Sequence, residues 1–443
     1  MTSQIDVTQV VANSRLGPYQ IMVLLMCFAC MMIDGFDIQS MAYVAPEIIS
    51  QWGIAKASLG PVFGISLVGM LLGSLIFGSV ADAIGRRPVL IGAHIVLALT
   101  MFATSYAESI TSLMIMRLLS GLAMGAIVPN AIAMSTEYTP NHNKVTLLML
   151  VSSGMVCGGI IGGVIAAWLI PLFGWHSVFY AGAIAPLILA IIMLALMPES
   201  MQWLTVRGKS ASRVARTLSR INPDLIINDA SAITTTAPKK SGLSVKGLLG
   251  GEHGRGTILL WLMNFMNMLC VYFLASWIPV LMSDAGHSAS QSVLAGAALW
   301  LGGLGGTWLL GWCVDRRGYV AVLMPTFILA GAAIVFFSRY YIAIHWAYLF
   351  IAAAGFGVMG GQAILNAMAS TYYPTALRST GLGWALGFGR LGGIMGPILG
   401  GGLLTLHWST ANLLLLSALP IGVTVLAIVV FSRAHKNSWS AAT

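Results

Sequence analysis

Apolar residues run along this chain in long stretches, each separated from the next by a few polar or charged positions. A helix needs about 20 such residues to cross roughly 30 Å of hydrocarbon. Stretches near 19–45, 58–80, 88–107, 111–135, 145–168 and 175–197 reach that length. So does a second set near 257–283, 290–314, 320–338, 346–370, 379–405 and 410–432. The pattern predicts an all-α membrane protein of twelve transmembrane helices. A polar stretch, 201–256, separates the two sets and carries nine basic residues against three acids. The expected division is a tail at 1–18, a six-helix bundle at 19–200, a linker at 201–256, a second six-helix bundle at 257–432 and a tail at 433–443.

Composition supports this division. Charged residues make up 8% of the chain and hydrophobic residues 58%, where a soluble domain carries about 25% charge. So few charges could not solvate a soluble surface of this size. The 50 glycines and 25 methionines suit helices packed closely in lipid. A net charge of +9 would suggest nucleic acid as a partner of a soluble protein, but here the basic residues sit between apolar stretches. Of the 22 Lys and Arg, Lys56 and Arg339 fall in loops on one face, and Arg117 and Arg390 inside spans. The others share the opposite face, which the positive-inside bias assigns, with both termini, to the cytoplasm. Residues 1–17 lack an apolar core and do not read as a cleaved signal. Cys27-x-x-Cys30 has redox or metal spacing, but it lies in a lipid-length stretch with no second pair and reads as packing. His94, His142, His176 and His407 lack metal spacing, and the sequence has no nucleophile elbow or phosphate loop. The expectation is a transporter, not an enzyme, with no metal or cofactor.

The two sets repeat each other. Gly78-x-x-x-Asp82-x-x-Gly85-Arg86-Arg87 follows the second span, and Gly311-x-x-x-Asp315-Arg316-Arg317-Gly318 follows the eighth. Gly121 to Pro140 aligns with Gly355 to Pro374. Such duplication yields two pseudo-symmetric bundles, the plan of many secondary transporters. The loop motif resembles the signature of the major facilitator superfamily. Asp34-Gly35-Phe36-Asp37, the seventh span from Trp261 to Pro279, and Gly389-Arg390-Leu391-Gly392 together resemble the aromatic acid:proton symporter family. The similarity runs nearly end to end. Ala83 departs from it, since the family carries a basic residue there; Arg316 keeps that residue in the second half. The resemblance implies a major facilitator fold, alternating access and benzoate-like or hydroxylated aromatic acids as substrates. It also implies that Asp82 caps a neighbouring helix and pairs with arginines in an outward-open state. Glu137, Glu199, Asp315 and Arg316 would extend that gating network with Arg86 and Arg87.

Thirteen carboxylates are present, and only Asp34 and Asp37 lie well inside a span. A charge near the bilayer centre costs about 2.5–3.5 kcal/mol on insertion scales, so both need a polar cavity or partners. Three residues apart, they share one helix face. A rise of about 1.5 Å per residue places Asp34 roughly 22 Å along its span, beyond the midplane. Two desolvated carboxylates this close can take up a proton on one side and release it on the other. An alternative role for one of them is a fixed pair with Arg117, whose span packs beside the first in the superfamily; Asp37 is the expected partner. Arg390 lies near the middle of the eleventh span, where its guanidinium needs an anion or water and matches a carboxylate bidentately. No acid occurs in the second set of spans to neutralise it, which leaves the substrate, or Asp34 or Asp37 across the halves. Asn264, Asn267, Tyr272, Trp277, Gln362, Asn366 and Trp384 are candidates for contact with the substrate ring.

An anion entering a cell that is negative inside meets a cost of about 2.3 kcal/mol per 100 mV. One accompanying proton cancels it. An importer of small organic anions therefore needs a protonatable site and an anion site, here Asp34 with Asp37, and Arg390. The partners expected are that anion, protons and lipid, with no nucleic acid, in a protein working as a monomer in the bacterial inner membrane. Import of non-aromatic carboxylates such as muconate, and export by proton antiport, are alternatives that the same residues allow.

Overall fold

The computed structural model describes the chain except residues 1–3, 209–210, 223–231, 235–247, 251–252, 375–376, 407 and 435–443. The first half begins with a short strand, β1 (Gln4–Asp6), and helix α1 (Val7–Asn13), followed by six long helices. These are α2 (Pro18–Trp52), α3 (Leu59–Ile84), α4 (Arg86–Thr104), α5 (Ile110–Tyr138), α6 (Lys144–Phe173) and α7 (His176–Leu196). The linker contributes α8 (Met201–Val206), α9 (Ala211–Ile221) and β2 (Ala232–Thr234). The second half holds α10 (Gly254–Asp284), α11 (Ala289–Arg317), α12 (Tyr319–Tyr340), α13 (Ile344–Tyr372) and α14 (Arg378–Thr405). Its last span is made of α15 (Thr410–Leu416) and α16 (Leu419–Ala434).

Eleven of these stretches are long and apolar enough to cross a membrane. The exception is α14. Its 28 residues suffice in length, but ten glycines and Arg390 dilute its hydropathy. It packs between α10 and α3 like its neighbours and completes twelve. Successive spans alternate in direction, so the chain ends and the linker share one face, called here the linker face. β1 pairs in parallel with β2, Gln4 opposite Ala232, which ties the N-terminal segment to the linker. The tail expected at 1–18 is thus partly folded onto the bundle, with Val7 and Val11 buried.

Close helix approach explains much of the glycine. A side chain on Gly69 or Gly73 of α3 would run into the backbone of α5 at Leu118 and Leu122, and Gly121 and Gly125 of α5 face α3 in the same way. The second half repeats this contact. Gly302 and Gly306 of α11 lie against the backbone of α13 at Ala352 and Phe356. In lipid, where burial drives helix association weakly, such small-residue seams provide the packing.

The boundaries correct one expectation. α2 runs on to Trp52, so Asp34 is the seventeenth of its 35 residues. The pair therefore sits at the middle of its helix, not beyond it.

Candidate functional site

Three long helices bring the ionised side chains together between the two halves. Asp34 and Asp37 come from α2, Arg117 from α5 and Arg390 from α14. Asp37 and Arg117 form a buried ion pair, with Arg117 Nη2 2.8 Å from Asp37 Oδ1. Arg117 Nη1 also donates to the Asp37 carbonyl at 3.2 Å, and the guanidinium lies 5.5 Å from the ring centre of Phe179. Each side chain is 1% exposed. A pair this buried holds together only with such multiple contacts, since removing either partner strands a charge.

Asp34, one turn away, is different. It is fully buried, and neither of its oxygens has a hydrogen-bond partner among the described residues. Asp37 and Arg390 are its charged neighbours. Arg390, the thirteenth residue of α14, reaches across to the other half, where Nη1 donates to Ser74 Oγ of α3 at 2.6 Å. Among the described residues it makes no ion pair within 4.0 Å. Tyr272 of α10 lies near both Asp34 and Arg390. The sequence does not single out Ser74, because a lone hydroxyl in an apolar span usually bonds back to its own helix.

The amide candidates also meet. Gln362 of α13 donates to Asn264 Oδ1 at 2.8 Å and Asn366 Oδ1 at 2.9 Å, and accepts from Asn267 Nδ2 at 2.8 Å. Trp384 and Phe388 of α14 form an aromatic group with Trp261 of α10. Trp261 stacks on Phe388 with centres 4.4 Å apart, and Trp384 lies 5.8 Å from Trp261.

Trp277 is not a wall of this cleft and departs from the expectation. It is 1% exposed, donates to the Pro397 carbonyl at 3.1 Å and meets Phe63 of the other half edge-on at 5.4 Å. It belongs to the seal between the halves on the face opposite the linker. There Gln39 donates to the Ala275 carbonyl at 2.7 Å, Ser290 to the Ala167 carbonyl at 2.8 Å, and Lys56 pairs with Asp284. Between this seal and the Asp37–Arg117 pair lies a small cavity lined by Met41, Ser66, Arg117, Tyr272 and Ser276. Toward the linker face, a side chain added at Gly78, Gly383 or Gly387 would meet nothing within 4 Å. The halves are sealed against each other on the far face.

The charges expected to shut the linker face form a network inside the first half. Glu199 Oε1 accepts from the backbone N–H of Arg86 at 2.9 Å and of Arg87 at 3.1 Å, the first two residues of α4. It is therefore Glu199 that caps this helix, where the helix dipole favours a negative group. Gly85 has φ +106°, and a side chain there would collide with the Glu199 carboxylate, so the motif needs glycine. Arg86 pairs with Glu137, which also accepts from Ser200 Oγ at 2.8 Å. The Asp82 carbonyl accepts from Trp203 Nε1 at 3.0 Å and from Arg207 at 3.1 Å. All these partners belong to the first half and linker. In the second half Arg316 lies over the Trp312 ring at 3.9 Å, and Asp315 is exposed and makes no ion pair with a described residue. Among the described residues, those bonds of Glu199, Glu137 and Asp82 join elements of the first half and the linker.

With this geometry, comparison with known proteins decides the family. The family model described as Major Facilitator Superfamily matches residues 27–397 and 260–443. The chain belongs to the Major Facilitator Superfamily. It is similar to the 4-hydroxybenzoate transporter PcaK of Pseudomonas putida, 35% identical over 96% of this chain and 95% of that one. It resembles the gallate transporter of Pseudomonas putida at 34% identity over 99% and 98%. It also resembles the benzoate transport protein of Acinetobacter baylyi at 31% over 92% and 88%. Among solved structures, a bacterial homologue of the human lysosomal transporter Spinster in an inward-facing and occupied conformation superposes with TM-score 0.70. That match covers 95% of this chain and 97% of the other at 15% identity, a likeness of fold. The protein is a multi-pass membrane transporter of this superfamily.

Proposed function

We propose that this protein imports an aromatic carboxylate of the benzoate or hydroxybenzoate type together with a proton. The relatives named for 4-hydroxybenzoate, gallate and benzoate support the substrate class. The observation that carries the coupling is the contrast between two neighbouring carboxylates. Asp37 is held by Arg117, whereas Asp34 is buried with both oxygens unpartnered. A lone buried carboxylate is costly as an anion, and a bound proton removes that cost. Asp34 is therefore the proton carrier, and Asp37 with Arg117 fixes α2 against α5.

Arg390 is the anion site. Its present partner is a neutral hydroxyl, Ser74, which a substrate carboxylate displaces with a stronger, charge-assisted bond. The carboxylate then bridges Arg390 of one half and the surroundings of Asp34 in the other, so substrate and proton occupy the same seam. Tyr272, Asn264, Gln362, Asn366 and Trp384 line the ring's side of the site. Rocking of the halves would open the seal at Trp277 and Phe63 and close the linker face, where Asp82, Arg86, Arg87, Asp315 and Arg316 meet. The linker face is the cytoplasmic one by its basic residues, and the membrane is the bacterial inner membrane.

The test is uptake of labelled benzoate and 4-hydroxybenzoate into cells expressing the protein, with and without a protonophore. Accumulation that collapses with the protonophore is expected. Undiminished accumulation would remove proton coupling, and absence of any aromatic-acid uptake would remove the substrate class.

A further inference from the structure

The carboxamide cluster on α10 and α13 has a fixed direction. An amide's oxygen and nitrogen are assigned from their partners, and here backbone carbonyls, which only accept, decide the matter. Asn267 Nδ2 donates to the Val358 carbonyl at 2.9 Å, so its nitrogen is fixed on that side. The same nitrogen donates to Gln362 Oε1, which turns the Gln362 nitrogen toward Asn264 and Asn366. Asn264 Nδ2 donates to the Leu260 carbonyl at 2.9 Å, which independently gives the same direction. The relay thus engages the oxygens of Gln362, Asn264 and Asn366. One acceptor is left over: Asn267 Oδ1 is buried without a partner, on a side chain that is itself fully buried.

Buried acceptors are nearly always satisfied, and an exception marks a place for a donor that the protein itself does not supply. The cluster lies at the level of the proposed anion site. Asn264 packs beside Gly389, next to Arg390, is joined to Asn267 through Gln362, and Tyr272 lies further along α10 near Arg390. Asn267 lies between these two positions on the helix. Resting on the aromatic-acid reading above, we propose that Asn267 Oδ1 is the acceptor for a hydroxyl on the substrate ring, which makes the site selective for ring substituents that donate a hydrogen bond. The inward direction of the relay enforces this, because the other amide oxygens already have donors. An ether oxygen in the same place could only accept and would leave Asn267 Oδ1 unsatisfied.

The experiment is a binding competition on the purified full-length protein with benzoate, 4-hydroxybenzoate and 4-methoxybenzoate, for the wild type, Asn267→Ser and Asn267→Leu. The wild type is expected to favour the hydroxyl over the methoxy compound. Both variants should weaken 4-hydroxybenzoate about tenfold relative to benzoate, so that the preference disappears. Serine is shorter and bonds back to its own helix, which withdraws the acceptor from the ring, so it gives the ratio even if the leucine variant does not fold. An unchanged hydroxyl-to-benzoate ratio in Asn267→Ser, with benzoate still bound, overturns the subsite alone. A wild type that binds none of the three acids overturns the aromatic-acid reading and the subsite with it.

Discussion

The two six-helix halves share one plan of packing and carry opposite chemistry. Both use glycine seams at matching places, Gly69 and Gly73 against α5 in the first and Gly302 and Gly306 against α13 in the second. Yet the first half places carboxylates at its centre, Asp34 and Asp37 with Arg117, and the second places Arg390 and a cluster of neutral amides. The linker face shows the same asymmetry. Glu199 caps α4 beside Gly85 and Arg86 pairs with Glu137, whereas near the equivalent turn at Gly318 (φ +77°) Arg316 lies on Trp312. The repeated scaffold thus carries acidic groups at the centre of one half and a lone arginine with amides in the other. Neither half is complete alone, which is why the Arg390–Ser74 contact across the seam is informative.

The comparison can be tested most sharply at the buried pair. Arg117→Ala leaves Asp37 as an unpaired buried charge and should cost about 3–5 kcal/mol of stability. Arg117→Ala combined with Asp37→Ala should recover much of it, measured as thermal unfolding in detergent. Additive losses would mean that the pair is incidental. The counterpart in the second half is Arg390→Ala. It should weaken substrate binding about a hundredfold, as loss of hydrogen bonds to a charged group implies, without a comparable loss of stability. Arg390→Lys should keep part of the affinity, since it retains charge but not the fork. Equal stability losses at Arg117 and Arg390 would erase the division of labour.

Asp34→Asn should abolish accumulation driven by the proton gradient while exchange of labelled for unlabelled substrate continues. The energy forgone is about 2.3 kcal/mol per 100 mV for each uncompensated charge. Accumulation that survives in Asp34→Asn but fails in Asp37→Asn would reverse the roles assigned to the two carboxylates. The smallest effect is expected at the helix cap. Glu199→Gln keeps an acceptor for Arg86 and Arg87 but removes its charge, and should cost about 1 kcal/mol, read as a modest shift of unfolding with substrate affinity retained.

Span lengths and basic loops made the twelve-helix plan readable, because hydrocarbon thickness and charge cost act on every residue of a span. α14 is the instructive case. Its glycines lower its hydropathy, and two of them, Gly392 and Gly396, let α14 touch α10 backbone to backbone. The set of intramembrane charges was equally legible, since so few occur. Which of them pair was not. Asp34 and Asp37 look alike in the sequence, and Trp277 looks like a ring contact until it is found sealing the far face. Glu199 as the cap of α4, 113 residues away from Arg86, and Ser74 as the partner of Arg390 depend on contacts between distant segments.

The sequence by itself determined the membrane class, the doubled architecture and the short inventory of charges that lipid tolerates, because those follow from composition and local hydrophobicity. Only the tertiary structure decided which carboxylate is paired with an arginine and which is left alone, where the halves are sealed, and which way the amides point. Those outcomes depend on geometry between helices, and a buried polar atom's energy is set by the few atoms that reach it.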